Sequence, residues 1–322
     1  MARATNHTYT GNKIAEDFHN TVYDISPTDT PFLTMAKRFN ATNTLHQWTY
    51  DVLTAAAANQ QVEGDDFDPT ARAQPTTLNN YCQILRKEVN ISGTFEAVKK
   101  YGRKSELAYQ TARMSKELKR DLEYALVRNQ TGDAGSASSA RVMGSMESWI
   151  SSTAPGNAYR ASGSTGGTSS GYAGGVAKAP TDGTATAMVE ADLKAALGLA
   201  WADGGDPSVI MMSSTNKQEF SGFTGVATRF NDVKGATSAN IIGSADVYVS
   251  DFGVHKAVLN RYMRDEAVLC LDPEYIGVAF LRPFQRIDIA KTGDGEKKAI
   301  LCEATLVVQN PLAHAKIYNT GG

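Results

Sequence analysis

A serine near the middle of the chain has the spacing of a hydrolase nucleophile. Gly167-Thr-Ser169-Ser-Gly171 matches Gly-x-Ser-x-Gly, a motif in which a strained turn between a strand and a helix holds the serine near a histidine base. Here the motif lies among small polar residues, and no strand is predicted before it. Chance composition therefore explains the match better than catalysis, and we expect Ser169 to be dispensable.

Acidic side chains are the second group that could do chemistry. Glu63, Asp65, Asp66 and Asp68 place four carboxylates in a short stretch of sequence, and carboxylate oxygens bind hard cations such as Ca²⁺. Their spacing fits no EF-hand loop. A solvated or partner-facing acidic segment is favoured over a metal site, and we predict no metal, no cofactor and no catalytic site.

Histidine and cysteine, which often act as bases, nucleophiles or ligands, are dispersed along the chain. No two cysteines form a Cys-x-x-Cys pair, so neither a zinc site nor a disulfide framework is indicated, and a reducing compartment is favoured. Each histidine is expected on the surface or in packing. These residues are His7, His19, His46, His255, His314, Cys82, Cys270 and Cys302.

Composition narrows the class of protein. The 322 residues are 42% hydrophobic and 20% charged, which is typical of a globular protein of about two domains or one elaborated domain. The net charge of -2 excludes a protein that coats nucleic acid or membranes by bulk positive charge. We expect a cytosolic protein without membrane contact, because no secretory signal and no window of ~18 apolar residues is present.

The first elements of the chain are predicted to be extended. Residues 1–43 form an arm in which Pro27 and Pro31 restrict the backbone, with a short helical turn after Pro31. Residues 44–93 are predicted to form a long β-hairpin whose two strand-like runs cover residues 45–53 and 78–91. Alternation in the first run places four side chains on one face: His46, Trp48, Tyr50 and Val52.

A long helix is predicted from Ser105 to Gln130, and we call it the spine helix. Its apolar residues recur at helical spacing on one face, Ser105 can cap its start, and Gly132 can end it. The residues of this face are Leu107, Met114, Leu118, Leu122 and Leu126.

The second half of the chain divides into three parts. Residues 151–187 are Gly, Ser, Thr or Ala at most positions, which predicts a flexible surface insertion because little apolar surface is available to offset ordering. A helix follows with Val189, Leu193, Leu197 and Trp201 on one face, and then a buried strand over 209–212. The remainder is rich in strand-like runs.

Charge is distributed unevenly between two of these segments. The stretch from Asp51 to Asp68, which we call the acidic loop, has five acids and no base, whereas residues 99–128 have nine Lys or Arg against four acids. The arm, the hairpin and the insertion together cover about two-fifths of the chain, and none is expected to have a core of its own. Because isolated hairpins are marginally stable, other copies of the chain are the predicted packing partners of the arm and the hairpin.

The order of these elements resembles the major capsid proteins of tailed bacteriophages, which have the Hong Kong 97-type fold. Each motif is weak alone, and the resemblance depends on their number and order over nearly the whole chain except residues 151–187. The motifs are Asp24-Ile-Ser-Pro-Thr-Asp-Thr-Pro-Phe-Leu33, Tyr101-Gly-Arg-Lys-Ser-Glu-Leu-Ala-Tyr-Gln110, Glu190-Ala-Asp-Leu193, Gly204-Gly-Asp-Pro207, Asp251-Phe-Gly-Val-His255, Leu271-Asp-Pro-Glu-Tyr275, Leu281-Arg-Pro-Phe-Gln285 and Ala290-Lys-Thr-Gly-Asp-Gly295.

The resemblance implies an α+β fold with defined parts. They are an N-terminal arm (1–43), an extended β-hairpin loop (44–93), a peripheral domain with the spine helix (94–150), the Gly/Ser-rich insertion (151–187), an axial domain (188–271) and a return to the peripheral domain (272–322). It also implies a structural protein that self-assembles through hexamers and pentamers into a phage shell around double-stranded DNA. A separate scaffolding protein and a portal are the implied partners, DNA contacts are non-specific, and the shell is assembled in the host bacterial cytoplasm.

The candidate contacts between subunits come from the arm, the hairpin and the spine helix. They are Pro27, Pro31, Phe32, Trp48, Tyr50, Val52, Glu63, Asp65, Asp66, Asp68, Lys116 and Lys119. The alternatives are a β-rich hydrolase and a surface or tail adhesin. No convergent Ser/His/Asp set in ordered sequence supports the hydrolase, and the absence of tail-fibre repeats counts against the adhesin.

Overall fold

The computed structural model describes residues 27–54, 56–67, 69, 71–100, 102–153, 156–223 and 246–322. The α-helices are α1 (Pro31–Met35), α2 (Gly93–Ala97), α3 (Glu106–Val127), α4 (Met146–Trp149), α5 (Glu190–Ala202) and α6 (Ser214–Ser221), with short 3₁₀ turns at Pro273–Tyr275 and Pro311–Ala313. The strands are β1 (Lys37–Asn40), β2 (Leu45–Tyr50), β3 (Thr76–Tyr81), β4 (Gln83–Ser92), β5 (Ala158–Arg160), β6 (Thr165–Thr168), β7 (Gly171–Ala173), β8 (Val176–Lys178), β9 (Thr181–Thr184), β10 (Val209–Met212), β11 (Val247–Ser250), β12 (Gly253–Leu259), β13 (Ala267–Leu271), β14 (Ile276–Ile289), β15 (Gly295–Val308) and β16 (Ala315–Tyr318).

Two larger sheets organise the described chain. One has four strands in the order β1-β14-β15-β4, and the other has six in the order β11-β12-β10-β13-β16-β5. The buried face of α3 belongs to the same apolar core as Ile300 and Cys302 of β15. On the six-stranded sheet, Leu193 of α5 and Phe220 of α6 pack into a second core. This mixed arrangement agrees with the predicted α+β class.

The spine helix is confirmed as α3. Ser105 is its N-cap, and the Ser105 hydroxyl accepts a hydrogen bond from the backbone N–H of Ala108 at 3.2 Å. The helix ends at Val127, three residues before the predicted end. The five residues predicted on its apolar face are all buried: Leu107, Met114, Leu118, Leu122 and Leu126.

An acid on this helix joins three parts of the fold. Glu123 is completely buried, and its two carboxylate oxygens accept the backbone N–H groups of Phe32 and Leu33, each at 2.8 Å. These donors lie in the first turn of α1, where no intrahelical acceptor exists. The Asn260 side chain, just after β12, donates to the same carboxylate at 2.7 Å. Glu123 thus connects the arm, the spine helix and the end of strand β12 in the six-stranded sheet.

The predicted hairpin is correct in its first half and wrong in its second. β2 pairs antiparallel with β3, from Leu45 opposite Tyr81 to Tyr50 opposite Thr76. Beyond Cys82 the chain changes partner, and β4 pairs antiparallel with β15 along most of its length. Pairing with a central strand buries the inner face of β4 against α3, which a free hairpin could not do.

The insertion was predicted to be flexible, and that prediction is wrong. Residues 156–184 contain five short strands, and β5 joins the six-stranded sheet as a parallel neighbour of β16. Ser169 is fully buried, and its hydroxyl donates to the Ile150 carbonyl at 2.6 Å. Backbone and hydroxyl groups of the insertion form hydrogen bonds with other segments of the same chain. Large apolar side chains are therefore not needed to order it.

Two smaller details also differ from the sequence predictions. Val189 and Trp201 were expected on the buried face of α5, but they are 44% and 62% exposed, and only Leu193 and Leu197 of that set are buried. Residues 272–322 were assigned together to the peripheral domain. They contribute β14 and β15 to the four-stranded sheet and β16 to the six-stranded sheet.

Removing the Glu123 carboxylate should destabilise the folded subunit. Glu123→Ala leaves two buried N–H groups and the Asn260 amide without their acceptor, so we expect a loss of about 2–4 kcal/mol in the free energy of unfolding. Glu117→Ala, which removes a partly exposed acid from the same helix, is the matched control and should change little. Urea denaturation of unassembled protein measures both. Equal midpoints for the two variants would contradict the junction role.

His314 should make the subunit sensitive to acid. It is fully buried, its Nδ1 accepts the Asp272 N–H at 3.1 Å, and burial lowers its pKa to about 3. Between pH 6.5 and about pH 3 the unfolded chain therefore binds a proton that the native chain does not. We expect this residue to remove about 1.4 kcal/mol of stability per pH unit below 6.5.

The variant His314→Asn tests this proton, because its side-chain oxygen can replace Nδ1 as an acceptor but does not titrate. The stability difference between wild type and variant, measured by urea denaturation, should shrink as the pH falls from 6.5 to 4. Parallel stability curves would show that His314 does not cause the acid sensitivity.

Candidate inter-subunit surface

The acidic loop lies between β2 and β3 along the chain. Every described residue in it is exposed, including Glu63, Asp65 and Asp66; the predicted contact Asp68 lies outside the described residues. Four large apolar side chains share this exposure: Val52 at 56%, Leu53 at 91%, Val62 at 78% and Phe67 fully exposed. Exposed apolar groups beside carboxylates are typical of a surface that binds a partner. In the described part of the chain, no group of three or more His, Cys, Asp or Glu residues could hold a metal ion.

The spine helix presents cations on its solvent side. Lys116 and Lys119 are exposed, and in the described ranges neither has an acidic partner within 4 Å. Other charges of this helix are paired within the chain, for example Arg113 with Glu117 at 3.0 Å. The two lysines chosen from the sequence are therefore available to an acidic partner.

Trp48 and Tyr50, predicted as contacts between subunits, pack within their own chain. The Trp48 indole N–H donates to the Val308 carbonyl at 2.8 Å, and its ring lies 5.4 Å from that of Trp149, centroid to centroid. Tyr50 packs against the same core. Val52 lies beyond the strand and is 56% exposed. The alternation of β2 was predicted correctly, but its apolar face is covered by the chain itself.

The predicted contact residues of the arm also divide into one that is buried within its own chain and two that are half-buried. Phe32 is completely buried in the core beside the spine helix, which corrects its prediction as a contact to a neighbour. Pro31 occupies the first turn of α1, where its missing N–H costs nothing. Pro27 and Pro31 are half-buried, and their contact to another copy stays a prediction.

The serine and cysteine side chains that could act as nucleophiles take part in packing and hydrogen bonding within the fold. The Ser169 hydroxyl is bonded to a carbonyl rather than to a histidine, and the three cysteines are free and buried. Burial raises the pKa of the Cys82 thiol to about 11 and those of Cys270 and Cys302 to about 12. Thiols with such pKa values are protonated at neutral pH and are poor nucleophiles.

A groove that the sequence did not predict lies beside the spine helix. It has a volume of about 730 Å³ and is bounded by α1, α3, β1 and β14. Apolar side chains from four elements, with Ile300 of β15 among them, line it, and so do two cationic ones: Leu33, Phe39, Phe280, Phe284, Ile300, Arg38 and Lys119. No sequence pattern could reveal it, because its walls come from segments about 240 residues apart that meet only when β1 pairs with β14.

Structural similarity defines the class to which this fold belongs. A Cyanophage A-1(L) capsid subunit matches with a TM-score of 0.65 at 12% identity, covering 97% of this chain and 98% of that one. A subunit of the capsid of a native GTA particle matches with a TM-score of 0.64 at 12% identity, covering 98% of both chains. The fold is therefore the predicted Hong Kong 97-type fold of capsid shell proteins.

Sequence similarity then gives the family. The model of the SU10 major capsid protein family matches residues 3–321. The major capsid protein of Escherichia phage Phieco32 is 26% identical over 333 residues, covering 95% of this chain and 94% of that protein. The chain belongs to the SU10 major capsid protein family.

Family and fold together identify a structural protein of the virion shell and not an enzyme. The hydrolase and adhesin alternatives are therefore set aside. Among the described helices, none is long and apolar enough to span a membrane.

Trp48 should stabilise the subunit itself, because its hydrogen bond and ring contact are internal. We expect Trp48→Ala to lower the free energy of unfolding by about 2–4 kcal/mol through lost packing. Trp201→Ala, at a tryptophan that is 62% exposed, is the matched control and should cost less than about 1 kcal/mol. Urea denaturation of unassembled protein distinguishes them. Equal losses would contradict this role for Trp48.

Proposed function

We propose that the chain assembles through hexameric and pentameric rings into a closed shell around double-stranded DNA, and that the acidic loop of one copy lies over the spine helix of the next. One observation carries this proposal: every described residue of the loop is exposed, while Lys116 and Lys119 face solvent and have no acidic partner among the residues that the structure describes. A contact between two different surfaces of the same chain propagates around a ring.

Further partners follow from the same proposal. A scaffolding protein and a portal guide closure, and the packaged DNA touches the shell through non-specific contacts. Assembly takes place in the bacterial cytoplasm, where free, buried cysteines such as Cys82, Cys270 and Cys302 are compatible with reducing conditions.

Assembly of the purified chain tests the proposal directly. At micromolar concentration, with and without a candidate scaffolding protein, we expect rings or closed shells by size exclusion and negative-stain imaging. A folded protein that stays monomeric in both conditions would overturn the proposal.

Charge reversal tests the contact between the acidic loop and the spine helix. Asp65→Lys with Asp66→Lys should slow or block assembly at low salt, because the loop then repels the lysines of the neighbouring copy. Reversing Lys116 and Lys119 to Glu in the same chain should partly restore the rate. Light scattering over a salt series provides the measurement, since screening weakens such pairs.

The outcome that contradicts this contact is a loop variant that assembles at the wild-type rate with unchanged salt dependence. The apolar residues of the hairpin would then hold it in place. Circular dichroism of each unassembled variant serves as the control that these exposed substitutions leave the fold intact.

A further inference from the structure

A fully exposed phenylalanine lies in the most acidic part of the loop. Phe67 follows directly after Asp65 and Asp66 and has no contact that reduces its exposure. Burying an aromatic ring of this size stabilises a contact strongly, and such rings are the usual anchors of protein interfaces. Phe67 is therefore the side chain of the acidic loop that gains most from a partner.

The groove beside the spine helix has the chemistry to receive such a segment. Phe39, Phe280 and Phe284 supply aromatic surface, and the groove volume of about 730 Å³ lies in the range of roughly 300–1,000 Å³ typical of binding pockets. It is open to solvent on the described subunit, and Phe284 remains 36% exposed.

Charge at the groove is opposite to that of the loop. Arg38 and Lys119 both line it and both are exposed. In the described portion of the chain, neither side chain has an acidic partner within 4 Å. A phenylalanine flanked by carboxylates therefore matches an aromatic groove flanked by cations.

We propose that Phe67 of one copy inserts into the groove of the neighbouring copy, with the carboxylates of Asp65 and Asp66 near Arg38 and Lys119. This inference rests on the proposed shell assembly and deepens it by naming the anchor and its receptor. It also separates two lysines that the sequence treats alike, because Lys119 lines the groove and Lys116 does not.

Truncating the anchor and filling its receptor should have the same effect. Phe67→Ala should raise the concentration for half-maximal assembly about tenfold, as expected for loss of an aromatic anchor. Thr34→Trp should do the same, because Thr34 is exposed and lines the groove, so the indole occupies it. Phe95→Ala truncates another phenylalanine, 47% exposed and outside the groove, and should assemble like wild type.

A cross-link tests which copy supplies the loop. In a variant with both Phe67→Cys and Thr34→Cys, mild oxidation of assembled shells should give a ladder of covalent multimers on a denaturing gel, because each copy both gives and receives a loop. The native cysteines are buried and do not interfere. Phe67→Cys combined with Lys104→Cys, an exposed position outside the groove, is the control and should remain monomeric.

The possible results separate this proposal from the assembly on which it depends. If wild type forms shells while Phe67→Ala and Thr34→Trp assemble normally, the groove proposal is wrong and shell assembly stands. A covalent monomer with an internal disulfide would show that the loop occupies the groove of its own chain, which also overturns it. If wild type forms no shells even with scaffold, the proposed function itself has failed.

Discussion

The fold depends on a single buried carboxylate at the point where three segments meet. Glu123 has no cationic partner within 4 Å in the described chain; instead, two backbone N–H groups of α1 and the amide of Asn260 satisfy it at 2.7–2.8 Å. Burial raises its pKa, and the hydrogen bonds oppose that shift. A buried acid is tolerated only when such donors converge on it, so the arm and the six-stranded sheet must both be in place before α3 is stable.

This junction gives the arm a packing partner within its own subunit, so no second copy is needed to hold the described part of the arm. The arm from Pro27 onward, the short hairpin and the insertion are all attached to the chain's own cores, through Phe32, Trp48 and Ser169 in turn. The acidic loop and the groove beside the spine helix are two surfaces that the described chain leaves uncovered. We therefore propose that folding and assembly use different surfaces, and that a contact that is weak in one pair is repeated over a whole shell.

The sequence predicted elements whose signal is local and missed those that depend on distant partners. The period of Leu118, Leu122 and Leu126 defines a helix without further context, and both ends of α3 were predicted to within three residues. β3 and β4 show the same alternation, so nothing local marks the change of partner at Cys82. Glu123 was the one visible clue to the junction, as an acid between the leucines of an apolar face.

The prediction for the insertion was wrong for a different reason. Composition suggested that it could not bury enough apolar surface, but its glycines allow close approach to the rest of the chain. Gly171 has φ near +64°, and a Cβ there would lie 2.7 Å from the Ser151 side chain. Hydroxyl groups such as that of Ser169 then satisfy neighbouring carbonyls. A count of apolar residues cannot detect order that comes from backbone contacts and from a core supplied by other segments.

Hydrogen exchange of unassembled subunits and of assembled shells is the most direct test that folding and assembly use separate surfaces. We expect amides of α3 and β15 to be protected in both states, whereas amides of the acidic loop should exchange freely in the subunit and become protected in the shell. Protection of the acidic loop in isolated subunits, or free exchange of its amides in closed shells, would contradict this expectation.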